Sequence, residues 1–561
     1  MAGAKKQINR LPFILALIVV FFVLVIIKLT YTQIFKHEKY LQMADVQRKR
    51  DVSLLAKRGN IYARNGLKLA VSVEKETVFS TPYLVEDKSK TANLLAPILR
   101  MKSVQIYEKL TTPKGFVFLK RKVGKTTADK IRKLGIEGIG LEKEHQRYYP
   151  SGSIAAQVLG FVGLDNKGLA GLEMHHDKTL MGDTGRVKDE KDAFGKSIPG
   201  TKGLFKKPVD GNSLVLTIDR DIQYKAQSEL KNAIEEWEAL SGSVVVLNPK
   251  TGEIYAMASE PTFNLNKFNK ADKESFKNQS VVSLYEPGST LKIIPATVSI
   301  QENIFNIDSM FYLPPTLNVA GKNIKEAHKR AAQNWSLAKI ITESSNVGIS
   351  KVGLAIGKQK LHKYFGKFGL LEKTGIDFPG EVSGYVPKPK HWYGPTIATV
   401  SFGQGIAMTP LQLARAYSVI ANKGKLYRPF FVKKVMAPDG RIIKNNKPKM
   451  LRRVLSEKSA FEGILMLEKV VAEGTGKSTA IKGYTVAGKT GTAQKPKVGE
   501  IGYGDDYVSS FVGFAPAENA ELLVLVVVDS PTKGFYGSQV AGPAFKNILE
   551  FSLHKLGVEP Q

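Results

Sequence analysis

Residues 11–27, LPFILALIVVFFVLVII, form one uncharged apolar run near the start of the chain. The run reaches the lower length limit for a helix that crosses a bilayer, about 17 residues. In lipid a lone segment must satisfy its own backbone, so it has to be helical. Leu29 to Phe35 extends it, with Tyr31 and Phe35 suited to an interface. Lys5, Lys6 and Arg10 precede it. A cleavable signal peptide is the rival reading, but the run is long for one and no small-x-small cleavage site follows. The expectation is an uncleaved signal anchor over 11–35 behind a short tail, 1–10. Lys28, Lys36, Lys39 and Arg48 to Arg50 blur orientation by charge. The short head and long remainder argue that the remainder is exported.

That remainder has to fold without covalent help. The chain has 561 residues, 43% of them hydrophobic, and no cysteine. Disulfides, zinc-thiolate sites, iron-sulfur clusters and thiol nucleophiles are excluded. Lys and Arg number 82 against 51 Asp and Glu, a formal charge of +31. Such a balance suits a solvated basic surface or an anionic membrane or wall. Dispersed lysines, without zinc-finger spacing or an aromatic RNA-binding motif, argue against nucleic acid.

Residues 36–211 mix short strand-like and helix-like runs and show no catalytic constellation. Their glycines read as turns and strand ends, and 182–210, rich in Lys, Asp and Gly, reads as loop. From Asn212 the pattern changes. SLVLTID reads as a strand and DRDIQYKAQSELKNAIEEWEAL as an amphipathic helix. SGSVVVLNPKTGEIYAMAS reads as a hairpin turning at Asn-Pro-Lys-Thr-Gly. Residues 288–425 read as helical. YTVAG, YVSSFVGFAP and ELLVLVVVDS read as strands, and Gly537–Leu556 as a helix. The expected fold is α+β: an antiparallel sheet packed with helices.

Ser-x-x-Lys occurs six times, at Ser72, Ser228, Ser289, Ser336, Ser530 and Ser552. Only Ser289 follows Pro-Gly and precedes an apolar helical stretch, LKIIPATVSI. There Ser289 and Lys292 share a helix face, and a neutral amine can take the hydroxyl proton. Ser336 reads as an N-cap, Ser228 lies mid-helix, and Ser530 opens a loop. Lys-Thr-Gly occurs three times: at Lys250 on the hairpin tip, at Lys373 in a loop, and at Lys489. Only at Lys489 does a strand precede it and another follow, so that its backbone can lie along a sheet edge.

Ser289-Thr-Leu-Lys292, Ser344-Ser345-Asn346 and Lys489-Thr490-Gly491-Thr492 therefore stand in order. This ordered set resembles that of penicillin-binding proteins and serine β-lactamases. RGNIYARNG, RYYPSG, GLE, ASEPTFN and SFGQGIAMTPLQLARAYSVIAN extend the resemblance over nearly the whole chain after the anchor. The chain is similar to class B penicillin-binding proteins, most of all to the division-specific septal D,D-transpeptidase. The second motif is Ser-Ser-Asn rather than Ser-Asp-Asn, and no motif supplies a deacylating carboxylate. Hydrolysis as the main activity is therefore disfavoured.

The resemblance implies a pedestal (dimerisation-type) domain over 36–211 and a β-lactamase-like transpeptidase domain over 212–561. It implies a D-Ala-D-Ala stem peptide as acyl donor and no metal or organic cofactor. Ser289 would be the nucleophile and Lys292 its base, made neutral by burial and by the nearby charge of Lys489. Ser344 would relay a proton to the leaving amine. Asn346 would hold Lys292 and the substrate amide. Lys489, Thr490, Gly491 and Thr492 would take the donor's carboxylate. The N–H groups of Ser289 and Thr492 would form the oxyanion hole. Implied partners are stem peptides and lipid-linked precursor, β-lactam inhibitors, membrane lipid, a SEDS-family glycan polymerase and other divisome membrane proteins. The implied place is the bacterial cytoplasmic membrane, single-pass, with the C-terminal domains periplasmic. The elongation enzyme is the alternative branch. A penicillin-binding sensor or a non-catalytic divisome scaffold is the alternative class.

Overall fold

The computed structural model describes residues 10–190, 203–497, 499 and 502–560. The tail expected over 1–10 therefore lies almost wholly outside the described residues. Helix α1 (Leu11–Thr30) buries no side chain and continues as a π-helical turn over Tyr31–Phe35. Together they give a 25-residue span, with an 18-residue window of mean hydropathy 3.1 and nothing buried. A helix apolar all round and unpacked by its own chain suits lipid. The Tyr31 and Phe35 rings stack, 6.0 Å apart, and Lys36 lies 5.0 Å over Tyr31, as befits an interface.

The chain divides into two units that interleave in sequence. The first comprises 1–56, 75–144 and 183–209. Its core gathers Val78, Leu95, Leu99, Ile106, Leu119 and Ile131. The helix Lys88–Leu99 starts where the Asp87 side chain accepts from Lys90 N–H, satisfying an amide that the first turn leaves free. The stretch 182–210, expected as loop, contains two strands. Gly185–Glu190 pairs with both Lys49–Leu54 and Gly203–Lys206. Strand pairing is a backbone property, and a charge-rich composition hides it without forbidding it.

The second unit comprises 57–74, 145–182 and 210–561. Helix α2 (Arg220–Glu236) is capped by Asp219, which accepts from Asp221 and Ile222 N–H. Strands β1 (Ser241–Leu247) and β2 (Ile254–Glu260) form the expected hairpin. A 3₁₀ turn (Gly288–Lys292) leads into α3 (Ile293–Gln301). Then come α4 (Leu337–Thr342), α5 (Asn346–Ile356), α6 (Pro410–Ala421) and α7 (Glu457–Ala472). Strands β3 (Ala487–Pro496), β4 (Tyr503–Ala515) and β5 (Leu522–Asp529) and helix α8 (Gly542–Lys555) close the unit. The region 288–425 is not helical throughout. It also holds two short strand pairs, Met310–Leu313 with Gln333–Ser336 and Thr316–Val319 with Lys322–Lys325. Four residues are too few for a period-two pattern to stand out in sequence, although Met310–Leu313 does alternate between exposed and buried.

The five strands form one antiparallel sheet in the order β2-β1-β5-β4-β3. Central β5 reads LLVLVVVD because both of its faces are covered. Leu523, Leu525 and Val527 join the core that includes α3 and α6, and Val524, Val526 and Val528 join α2 and α8. Helix α3 is buried at Ile293 through Ile300, which explains why its sequence is apolar on every side. Strand β3 lies at the sheet edge.

Within this unit Arg58, Arg147 and Glu173 form a buried ionic cluster. Glu173 accepts from Arg58 Nε and Arg147 Nε, each at 2.6 Å, and its side chain is fully buried. Arg58 also donates to Asp177 at 2.6 Å and to the Glu173 carbonyl at 2.7 Å.

Candidate active site

The turn that carries Ser289 is built from its neighbours outward. Gly288 has φ +55°, a left-handed conformation that glycine takes without strain. The Glu286 carboxylate accepts from Gly405 N–H at 2.9 Å and from the Tyr503 hydroxyl at 3.1 Å. Thr290 Oγ donates to the Pro287 carbonyl at 2.7 Å, and the Tyr417 hydroxyl donates to the Thr290 carbonyl at 2.5 Å. A 3₁₀ turn has three residues per turn, so side chains at i and i+3 eclipse. Ser289 and Lys292 consequently share one face, with Ser289 half-buried and Lys292 fully buried.

The Lys292 amine donates across to the second motif. Its Nζ lies 2.5 Å from the Ser344 carbonyl, 3.2 Å from Ser344 Oγ and 2.7 Å from Asn346 Oδ1. Burial pushes Lys292 down from 10.5 to about 7, against the carboxylate of Glu326, which raises it. Burial is the leading cause, and the repulsion expected between the two amines acts on Lys489. Lys489 is itself fully buried and held well below its usual value, by burial first and by Lys292 second. Two buried amines that repel each other disfavour each other's charged form.

Ser344 is not helical. It sits between α4 and α5 with φ +58°, a conformation costing a non-glycine residue about 1–2 kcal/mol. Ser345 caps α5 by accepting from Gly348 N–H at 2.8 Å. Sequence reasoning missed the residue that fastens this motif. Glu326 accepts from Ser345 Oγ at 2.6 Å and from Asn346 N–H at 2.7 Å. Asn346 Nδ2 donates to the Lys325 carbonyl at 3.0 Å.

The third motif lies inside β3 rather than behind a strand, because the strand begins at Ala487 and runs through Lys489–Thr492. Lys489 Nζ is 3.3 Å from both the carbonyl and Oγ1 of Thr490. Thr490 Oγ1 lies 3.1 Å from Thr475 Oγ1, and Thr492 Oγ1 accepts from Gly537 N–H at 3.0 Å. Gly491 is required by space. A Cβ there would stand 2.3 Å from Ser510 Oγ and 2.8 Å from Thr290 Cγ2. The edge strand thus packs directly on the turn that carries Ser289.

The rival motifs have local explanations. Ser336 caps α4, accepting from Lys339 N–H at 3.2 Å. Ser552 donates to the Ile548 carbonyl within α8 and Ser72 to the Arg58 carbonyl. Ser228 lies inside α2, and Ser530 follows β5 at φ +51°. At Lys250-Thr251-Gly252 the Asn248 side chain accepts from two backbone N–H groups of the hairpin turn. Thr374 of Lys373-Thr374-Gly375 is tied to Glu381 in a loop. Among the described residues no group of three or more His, Asp or Glu is placed to hold a metal ion.

Comparison with known proteins places the fold in a family. Residues 242–550 match the penicillin-binding protein transpeptidase domain, and residues 53–216 match the penicillin-binding protein dimerisation domain. The chain is 37% identical to stage V sporulation protein D of Bacillus subtilis, over 99% of this chain and 86% of that protein. It is 33% identical to the peptidoglycan D,D-transpeptidase FtsI of Escherichia coli, over 95% and 89%. Among solved structures it is similar to a peptidoglycan synthetase from Bifidobacterium adolescentis, with a TM-score of 0.76 and 30% identity over 92% of this chain and 98% of that one. Penicillin-binding protein 3 of Mycobacterium tuberculosis, complexed with aztreonam, gives a TM-score of 0.73 and 29% identity over 91% and 98%. The α+β architecture, the ordered motifs and these matches agree: the chain belongs to the class B penicillin-binding proteins, in which a dimerisation domain precedes a transpeptidase domain.

Proposed function

We propose that this protein is a membrane-anchored peptidoglycan D,D-transpeptidase that cross-links stem peptides at the septum through an acyl-enzyme on Ser289. One observation carries the reading: the Lys292 amine is fully buried, held by Ser344 and Asn346, and depressed to about 7 one 3₁₀ turn from Ser289. Ser289 Oγ attacks the carbonyl between two D-alanines, and its proton passes to neutral Lys292. Ser344 Oγ, 3.2 Å from that amine, relays the proton to the departing D-Ala nitrogen. The acyl-enzyme is then taken by an amine of a neighbouring stem peptide, whose proton returns to Ser289 by the same route. The N–H groups of Ser289 and Thr492 hold the oxyanion. Asn346 holds Lys292 and the donor's amide. Lys489, Thr490, Gly491 and Thr492 receive the donor's terminal carboxylate, and a carboxylate arriving there favours the charged form of Lys489. A β-lactam enters by the same attack and stays as an ester of Ser289.

The α1 span supports single-pass anchoring, with the tail at 1–10 cytoplasmic and residues after 35 outside the cytoplasmic membrane. The domains are a pedestal over 36–211 and a transpeptidase domain over 212–561. A SEDS-family glycan polymerase and other divisome membrane proteins are the proposed partners, and lipid-linked precursor the source of donor. The identity to the Bacillus subtilis sporulation protein favours a second reading, a transpeptidase used during sporulation. Depletion that yields filaments supports the division role, and depletion that stops only sporulation supports the second.

The chemical test uses full-length protein in detergent, incubated with a D-Ala-D-Ala pentapeptide and, separately, with a penicillin. Intact mass and peptide mapping are expected to find the adduct on Ser289. With an amine acceptor present, cross-linked product is expected to exceed hydrolysed donor. An adduct on another residue, or hydrolysis alone, overturns the reading.

A further inference from the structure

Glu326 lies outside all three motifs, yet it contacts two residues of the second. Its Oε1 accepts from Ser345 Oγ at 2.6 Å and from Arg330 at 2.5 Å, and its Oε2 accepts from Asn346 N–H at 2.7 Å. Its side chain is 8% exposed. Arg330 is fixed in turn. It donates to the Leu313 carbonyl at 3.1 Å and lies 4.6 Å over the Trp335 ring. The chain Trp335–Arg330–Glu326–Asn346–Lys292 therefore runs unbroken from a strand pair to the general base. We propose that Glu326, oriented by Arg330, is a positioning residue that sets both the geometry and the protonation of Lys292. The proposal rests on the acyl-transfer reading above and assigns Glu326 no contact with substrate.

Two effects follow from one carboxylate. By holding Ser345 and the Asn346 backbone, it fixes the Oδ1 that receives the Lys292 amine. As a negative charge it also favours the protonated form of that amine. The charged or titratable groups bearing on Lys292 are Glu326 and, from β3, Lys489, which burial keeps toward neutral. Arg330 partly screens Glu326, so removing Arg330 and removing Glu326 should act in opposite directions. A purely structural role for either residue gives no such opposition.

The test is the pH profile of second-order penicillin acylation by full-length protein. Acylation requires neutral Lys292, so its rate should rise through the Lys292 titration. Glu326→Gln removes the charge and one acceptor. Its plateau rate is expected to fall roughly ten- to a hundredfold, the size of one charged hydrogen bond, while its acid limb moves to lower pH. Arg330→Met leaves the carboxylate unscreened and should move the limb to higher pH. Glu326→Asp keeps the charge and should keep the limb near that of the parent. Thermal unfolding run in parallel identifies any variant that fails to fold, and the remaining variants decide. Limbs that stay together, or move the same way, overturn the proposal. If the parent protein is not acylated at all, the transpeptidase reading has failed instead.

Discussion

Full-length protein carrying Ser289→Ala is expected to take no fluorescent penicillin, while Ser228→Ala and Ser336→Ala label like the parent. All three serines sit in the same Ser-x-x-Lys spacing, so spacing is held constant and context alone varies. Ser336 spends its hydroxyl on Lys339 N–H, and Ser228 lies within α2. Only Ser289 stands above a lysine that burial has brought to about 7. Lys292→Met probes the other half of the pair. It keeps an unbranched chain of similar volume and removes the base, so acylation should fall by ~10²–10⁴ with folding retained. Gel fluorescence reads the first comparison and stopped-flow acylation the second. Persistent labelling of Ser289→Ala would falsify the assignment of the nucleophile.

The second large effect concerns stability. Glu173→Ala leaves the buried guanidiniums of Arg58 and Arg147 without their shared carboxylate. Breaking a buried pair in this way costs about 3–5 kcal/mol, a large part of the 5–15 kcal/mol that typically holds a domain together. Arg132→Ala is the control. It removes pairs to Glu76 and Asp129 with Arg132 half-exposed, and such pairs are worth about 0–1 kcal/mol. Urea unfolding of both variants should separate them clearly. If Glu173→Ala moves the midpoint no more than Arg132→Ala, the cluster contributes no more than a surface pair.

The site was legible in the sequence wherever its chemistry is local. Pro287-Gly288 announces the turn, the apolar run after Lys292 announces a buried helix, and turn residues mark the decoys. The central sheet was legible because β5 is apolar on both faces and the turn residues between β1 and β2 mark a hairpin. What escaped depends on folding. Glu326 meets Ser345 and Asn346 at separations of 19 and 20 positions, and no spacing rule joins them. RGNIYARNG, RYYPSG and GLE were visible as segments, and their glycines read as turns and strand ends. That Arg58, Arg147 and Glu173 converge from them is tertiary information. So is the close approach at Gly168, where a Cβ would lie 2.0 Å from the Glu173 carbonyl oxygen. Burial is the first cause that lowers both Lys292 and Lys489, and depth of burial is not visible in a sequence.

That depth couples folding to proton release. A lysine in the unfolded chain titrates near 10.5, while native Lys292 titrates at about 7 and Lys489 is displaced the same way. Between those values the unfolded chain binds more protons than the native one, so the unfolding free energy increases as pH rises. The contribution is most unfavourable below about 7 and fades as pH approaches 10.5. Unfolding titrations across this window should therefore show an upward slope that Lys292→Met reduces. An unchanged slope in that variant would place the linkage elsewhere. On the alkaline side of neutrality a proton taken up by these amines opposes the fold, and on the acid side it occupies the Lys292 amine.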